Sequence, residues 1–242
     1  MRFKVIFSYD GTNYNGLQKQ PNKETIQGEF EKALEKINNK KTSFTASGRT
    51  DRGVHANMQV GHCDIDVDIT EYKLKRALNT FLNDDIHVID TMIVDDSFHA
   101  RFNVKNKEYY YLINTNEYNP LTRNYQYQYS NKIDLKKLNE LKDVFIGTYD
   151  FSSICNVEND KKDCIRTINN IDITENKGII KITFNGNGFL KYMVRIMVYL
   201  LLEMEKGKLS KEDVLLYLKK EKQIKSHKKV PACGLYLNKV EY

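Results

Sequence analysis

Residues 2–9 alternate apolar with polar side chains, rich in Val, Ile and Phe, and read as a strand. Residues 10–22 are polar, with Gly11, Gly16 and Pro21, and read as a loop. From Thr25 the period changes. Ile26, Phe30, Ala33, Leu34 and Ile37 fall on one helical face. Short strands are predicted at 41–46 and 58–67. Tyr72, Leu74, Ala77, Leu78 and Phe81 mark a second helix, and 86–94 a further strand. The order is β-α-β-β-α-β.

The rest of the chain repeats that order. A strand is predicted at 107–114, a helix at 135–145, and a hairpin from 167–174 and 178–184. A strongly apolar helix covers 189–206, Ser210 caps another, and 235–240 is the closing strand. Each half has the ferredoxin-like split order, so the fold class is α+β. Residues 1–96 form the first half, 97–106 a crossover and 107–242 the second half. The halves share pattern and not sequence identity. Two sheets of this kind suggest a broad concave surface between them.

Composition narrows this. A net charge of +6 and a pI near 8.9 fit a solvated lysine surface or a polyanionic partner equally well. The lysine-rich stretches 36–41 and 219–229 divide the same way, between surface and phosphate contact. Cys63, Cys155, Cys164 and Cys233 make no C-x-x-C pair, against a zinc ribbon or redox dithiol. No signal-peptide pattern precedes the first strand, and the reducing cytoplasm is the expected compartment. The longest apolar run, 193–204, contains Arg195 and Glu203 and is too short to span a bilayer. The aromatic RNA-binding signature of the RRM is missing.

Residues 46–56, Ala-Ser-Gly-Arg-Thr-Asp-Arg-Gly-Val-His-Ala, stand between two predicted strands with glycines at 48 and 53. Glycines let a loop turn sharply and approach a ligand. Asp51 between Arg49 and Arg52 would stay ionised, and the same arginines could hold phosphates. The plain alternative is a polar hairpin loop with a local ion pair. Metal binding by Asp51, His55 and His62 lacks further nearby ligands.

Residues 48–56 resemble the catalytic loop of TruA-type tRNA pseudouridine synthases, and further matches follow in order. They are Tyr9-Asp10-Gly11-Thr12 with Gly16, Gln18 and Gln20, then Phe98-His99-Ala100-Arg101-Phe102. Lys107, Tyr109, Tyr111 and Ile113 follow on one strand, then Phe189 with Met193-Val194-Arg195 on one helix. Pro231-Ala232 and Gly234-Leu235-Tyr236-Leu237 close the series. Leu17 stands where the family usually has Trp, and Tyr149 where His is usual. Neither is expected to touch the catalytic loop, so they bear on substrate choice and not on the reaction.

The resemblance implies a pseudouridine synthase fold of two ferredoxin-like halves with RNA in the cleft between them. It implies a homodimer acting on uridines 38, 39 and 40 of the tRNA anticodon stem-loop, without cofactor or metal. Asp51 becomes the essential carboxylate, attacking the sugar C1′ or deprotonating C2′ to a glycal. Tyr109 stacks on the target uracil and Leu235 lines its pocket. Arg195 pairs with Asp51, against the plain reading that it reaches the surface. Arg49 helps extrude the nucleotide and takes its place. His55 and His99 read as structural, as do Tyr110 and Tyr111. The same reaction on rRNA, a non-catalytic RNA-binding protein and a hydrolase releasing free uracil are the rival readings.

Overall fold

Alternation at the start of the chain gives the strand it predicts. In the computed structural model, which describes residues 1–156, 163–221 and 228–242, Arg2–Tyr9 forms β1 and buries Phe3, Val5, Phe7 and Tyr9. It is followed by α1 (Ile26–Asn38), β2 (Thr45–Ala46), β3 (His55–Asp64), α2 (Glu71–Phe81) and β4 (Ile86–Val94). Then come β5 (Asn106–Asn114), β6 (Tyr127–Gln128), α3 (Leu135–Leu141), β7 (Gly147–Asp150), β8 (Ile165–Asn176) and β9 (Ile179–Gly186). The chain closes with α4 (Met193–Glu205), α5 (Lys211–Leu218) and β10 (Leu235–Glu241). Both parts are α+β. Residues 1–105 with 236–242 make one compact unit, and residues 106–235 a second.

The first unit is a sheet in the order β4-β1-β3-β10, with β1 antiparallel to both β3 and β4. One edge of β3 is taken by β1 along its length. The other edge is therefore shared. Thr45 and Ala46 of β2 pair antiparallel with His62 and Gly61, while Tyr236 and Leu237 of β10 run parallel to His55 and Ala56. Thr25 caps α1, its hydroxyl accepting from Gly28 N at 3.2 Å. The helix buries Ile26, Phe30, Ala33 and Leu34 as its spacing predicts. Phe30 stacks on Phe44 with ring centroids 4.2 Å apart. Phe44 in turn lies over Gly61 so closely that a Cβ there would be 2.2 Å from the ring.

In the second unit the antiparallel order is β5-β9-β8-β7, with β6 parallel to β5. The β8–β9 hairpin stands where the sequence puts it. α4 begins at Met193 rather than at 189, because Tyr192 takes a left-handed conformation with φ of 64°. The predicted helix 135–145 is α-helical only to Leu141 and tightens to a 3-10 turn over Lys142–Phe145. Ser210 caps α5 in a reciprocal capping box with Asp213. Of the lysine stretch 219–229, residues 222–227 lie outside the described residues. Among the described residues no helix is long and apolar enough to cross a membrane.

Candidate active site

The loop between β2 and β3 carries Asp51, and three sets of contacts fix its course. At its start, Ser47 N donates to Val60 O at 2.7 Å and Ser47 Oγ to Gln59 Oε1 at 2.6 Å. Gln59, fully buried, returns a bond from Nε2 to Gly48 O at 3.3 Å. In the middle, the Tyr9 hydroxyl lies 2.8 Å from Thr50 Oγ1, and both residues are buried. Burial pushes the Tyr9 phenol up to about 12, so it stays protonated at neutral pH. At its end, Val54 N donates to Asp51 O at 3.2 Å across a turn whose third residue, Gly53, has φ of 75°. A positive φ at that place is the type II requirement, which glycine meets without strain.

The polar loop after β1 packs backbone to backbone on this turn. A Cβ on Gly11 would sit 2.0 Å from Val54 O, and one on Gly16 2.8 Å from Thr50 O. Leu17 N donates to Thr50 O at 3.2 Å. Leu17, expected to stay clear of the catalytic loop, therefore touches it through its backbone. Tyr149 lies on β7 in the second unit, with its ring 6.1 Å from that of Phe151. His55 opens β3 rather than lying in the loop, because Tyr236 and Leu237 supply pairing that alternation cannot reveal. Its ring is buried against Tyr236 with centroids 4.7 Å apart. Gly11 N donates to Nδ1 at 3.1 Å, and Asp10 Oδ1 lies 3.1 Å from the same nitrogen. A ring nitrogen that accepts from Gly11 cannot also donate to Asp10, so the carboxylate contact is a close approach and not a second hydrogen bond.

Asp51 is half-exposed in this frame, and Arg49 and Arg52 on either side of it are exposed. The first unit thus brings Asp51 and Arg49 together on one loop. Tyr109, Arg195 and Leu235 belong to the second unit. Tyr109 points to the buried face of β5 with Tyr111, while Tyr110 faces the other way under the Lys181 ammonium, 4.5 Å from its ring centroid. Tyr109 meets Phe189 edge to face, centroids 5.1 Å apart. Tyr111 is fully buried and donates to Pro231 O at 2.7 Å, as a core residue would. Leu235 is buried at the start of β10, directly after a 3-10 turn over Ala232–Gly234. Arg195 is half-buried on α4. Its Nε donates to Val230 O at 2.8 Å and its guanidinium carbon lies 5.4 Å from the Tyr192 ring centroid.

Gln59 and Val230 were invisible as site residues in the sequence, and Tyr9 entered only as the first residue of the Tyr9-Asp10-Gly11-Thr12 run, without a role of its own. Each acts across the fold. His62 does not join Asp51 and His55 in a ligand set. Its Nδ1 accepts from Ala100 N at 3.2 Å and its ring lies 4.8 Å from that of His99. Among the described residues no three His, Cys, Asp or Glu side chains gather as metal ligands would. Lys36 lies over the Phe81 ring and Lys40 pairs with Asp66, so this part of the first lysine stretch has partners within the chain.

The family model for tRNA pseudouridine synthase matches residues 5–103 and 143–242. A Listeria welshimeri protein described as tRNA pseudouridine synthase A is 40% identical, with 100% of this chain and 99% of that protein aligned. A Geobacillus sp. protein of the same description is 41% identical over 100% of this chain and 98% of its own. A Bacillus cereus tRNA pseudouridine synthase A 1 gives the same figures. Among solved structures, a chain from a Cbf5-Nop10-Gar1 complex aligns with 81% of this chain and 53% of its own, at 10% identity and a TM-score of 0.33.

Proposed function

Because the chain belongs to the tRNA pseudouridine synthase family, we propose that it isomerises uridine to pseudouridine in the tRNA anticodon stem-loop, at positions 38, 39 and 40. The observation that carries this is the Asp51 loop, held from three sides, in a chain alignable end to end with synthases of that description. The reaction breaks the N1–C1′ bond, turns the uracil and joins C5 to C1′. N1 gains a proton and C5 loses one, so no oxidant, nucleotide or metal is consumed.

Asp51 supplies the carboxylate that the sugar requires, as nucleophile at C1′ or as base at C2′. A fixed loop favours either role, because catalytic groups act only within a narrow geometry. Tyr109 is the stacking partner of the uracil, Leu235 a wall of its pocket and Arg195 the ionic partner of Asp51. Arg49 fills the space the uridine leaves when it unstacks, a step that costs a few kcal/mol. The protein works as a homodimer in the cytoplasm, with one tRNA touching both subunits. A monomer by light scattering at micromolar concentration, with full activity, would refute the dimer.

The test uses tRNA tritiated at C5 of uridine. Wild type releases tritium to water without added metal or ATP and without free uracil. Asp51→Asn folds and binds tRNA within about tenfold, or about 1.4 kcal/mol, since affinity rests mainly on phosphate contacts. It releases no tritium. A comparable rate from Asp51→Asn would remove Asp51 from the mechanism.

A further inference from the structure

The face of α4 that carries Arg195 does not stop there. Tyr199, Leu202 and Lys206 follow at i+4, i+7 and i+11, on the same side of the helix. They form one wall of a groove within the second unit, about 330 Å³ in volume, whose other walls include Tyr127, Tyr129 and Pro231. A smaller cavity of about 210 Å³ adjoins it through Tyr199, Glu203 and Lys228. The floor is apolar and aromatic. The rim carries Lys206, Lys228 and Lys229, with Lys208 beside the smaller cavity. One carboxylate opposes them, Glu203, and it holds Lys206 Nζ at 3.1 Å.

We propose that this groove binds an unpaired nucleotide of the substrate RNA next to the target uridine, its base against the tyrosines and its phosphates on the lysine rim. Tyrosine faces beside a cationic track are how single strands are held without sequence preference. A volume at the small end of ligand sites, roughly 300–1,000 Å³, suits one base. The excess of lysine over carboxylate favours a polyanion over a protein face. Distance supplies the rest. Tyr199 lies about 6 Å and Lys206 about 16 Å beyond Arg195 along the helix axis. The inference rests on the reading that places Arg195 at the target uridine. With that uridine at Arg195, the groove receives the chain immediately beside it.

Lys206→Glu and Tyr199→Leu test this in the full chain, alongside wild type, by tritium release, tRNA binding and sedimentation. Each variant melts near wild type, raises KM for tRNA about tenfold, the scale of one lost stacked base, and keeps kcat at saturation. For Lys206→Glu the log–log salt slope of binding becomes shallower by about 0.7, one single-strand phosphate contact. Unchanged KM and salt slope in both variants overturn the proposal. So does a change in sedimentation of the free protein, which makes the groove a contact between copies. Wild type that binds tRNA yet releases no tritium overturns the isomerase reading instead. Binding affinity and salt slope then decide the groove on their own.

Discussion

Removing one hydroxyl measures how firmly the Asp51 loop is held. Tyr9→Phe deletes the partner of Thr50 Oγ1, 2.8 Å away, where Tyr9 is 5% and Thr50 9% exposed. Water does not replace the lost bond at that burial. A buried polar group left without its partner costs about 1–3 kcal/mol. Thr50→Val makes the complementary cut at smaller cost, because the Tyr9 phenol keeps the Gln59 side chain as a second partner. The double variant removes both groups, so its loss is smaller than the sum of the singles by about 1 kcal/mol or more. Urea midpoints and melting temperatures read the cycle, at roughly 2–4 °C per kcal/mol for a chain of this size. Tritium release at saturating tRNA falls with Tyr9→Phe, because Thr50 immediately precedes Asp51. Single losses that add within about 0.5 kcal/mol would show that the bond holds nothing, and the account of a braced loop would fail.

Arg195→Met loses the Nε bond to Val230 O, a charged donor worth about 1.5–3 kcal/mol, and tritium release with it. Wild-type melting and turnover in that variant would return Arg195 to the surface reading. His62 gives a pH signature. Burial, with His99 and Arg2 nearby, pushes its pKa below the usual 6.5. The unfolded chain therefore takes up a proton that the folded chain refuses. Stability from this residue is fully present above pH 6.5 and is lost as pH falls from there toward the lowered folded value. Asp64, held down by Arg2, acts in the same direction only below about 3.8, so the windows separate. Melting that is flat between pH 7.5 and 5.5 would contradict this, and His62→Gln should flatten it.

Periodicity read the interior of elements well and their margins poorly. Ile26, Phe30, Ala33 and Leu34 of α1 are buried as spaced, but Ile37 is only half-buried while Asn38 is buried. Asn38 earns that place by bonding Thr42 Oγ1 and Asp66 N, which no pattern of apolar residues records. Tyr72 and Phe81 of α2 are exposed, covered in part by Arg76 and Lys36 over their rings. The short strand 41–46 shrinks to Thr45–Ala46: running antiparallel to β3, residues 41–44 would lie opposite residues 63–66, where β3 is ending at Asp64. The candidate site divides along the same line. Asp51 was legible because a nine-residue run carries it, whereas Tyr9 and Gln59 reach the loop from strands whose composition looks like any core. Leu17 shows the converse: a departure from pattern judged by its side chain, which meets the loop by its backbone.

The sharing of β3 between β2 and β10 has a consequence for how the protein is made. Residues 106–235 form a contiguous unit, and every part of it leaves the ribosome before Tyr236 does. The amino-terminal sheet cannot be finished until then, since Tyr236 and Leu237 complete the edge at His55 and Ala56. The amino-terminal sheet therefore cannot settle completely before the rest of the chain, as amino-terminal domains usually do. Until the last residues emerge, the strand leading out of the Asp51 loop presents bare backbone at that edge, a surface prone to pairing with the wrong chain. A truncation that clips only the final strand injures the beginning of the protein.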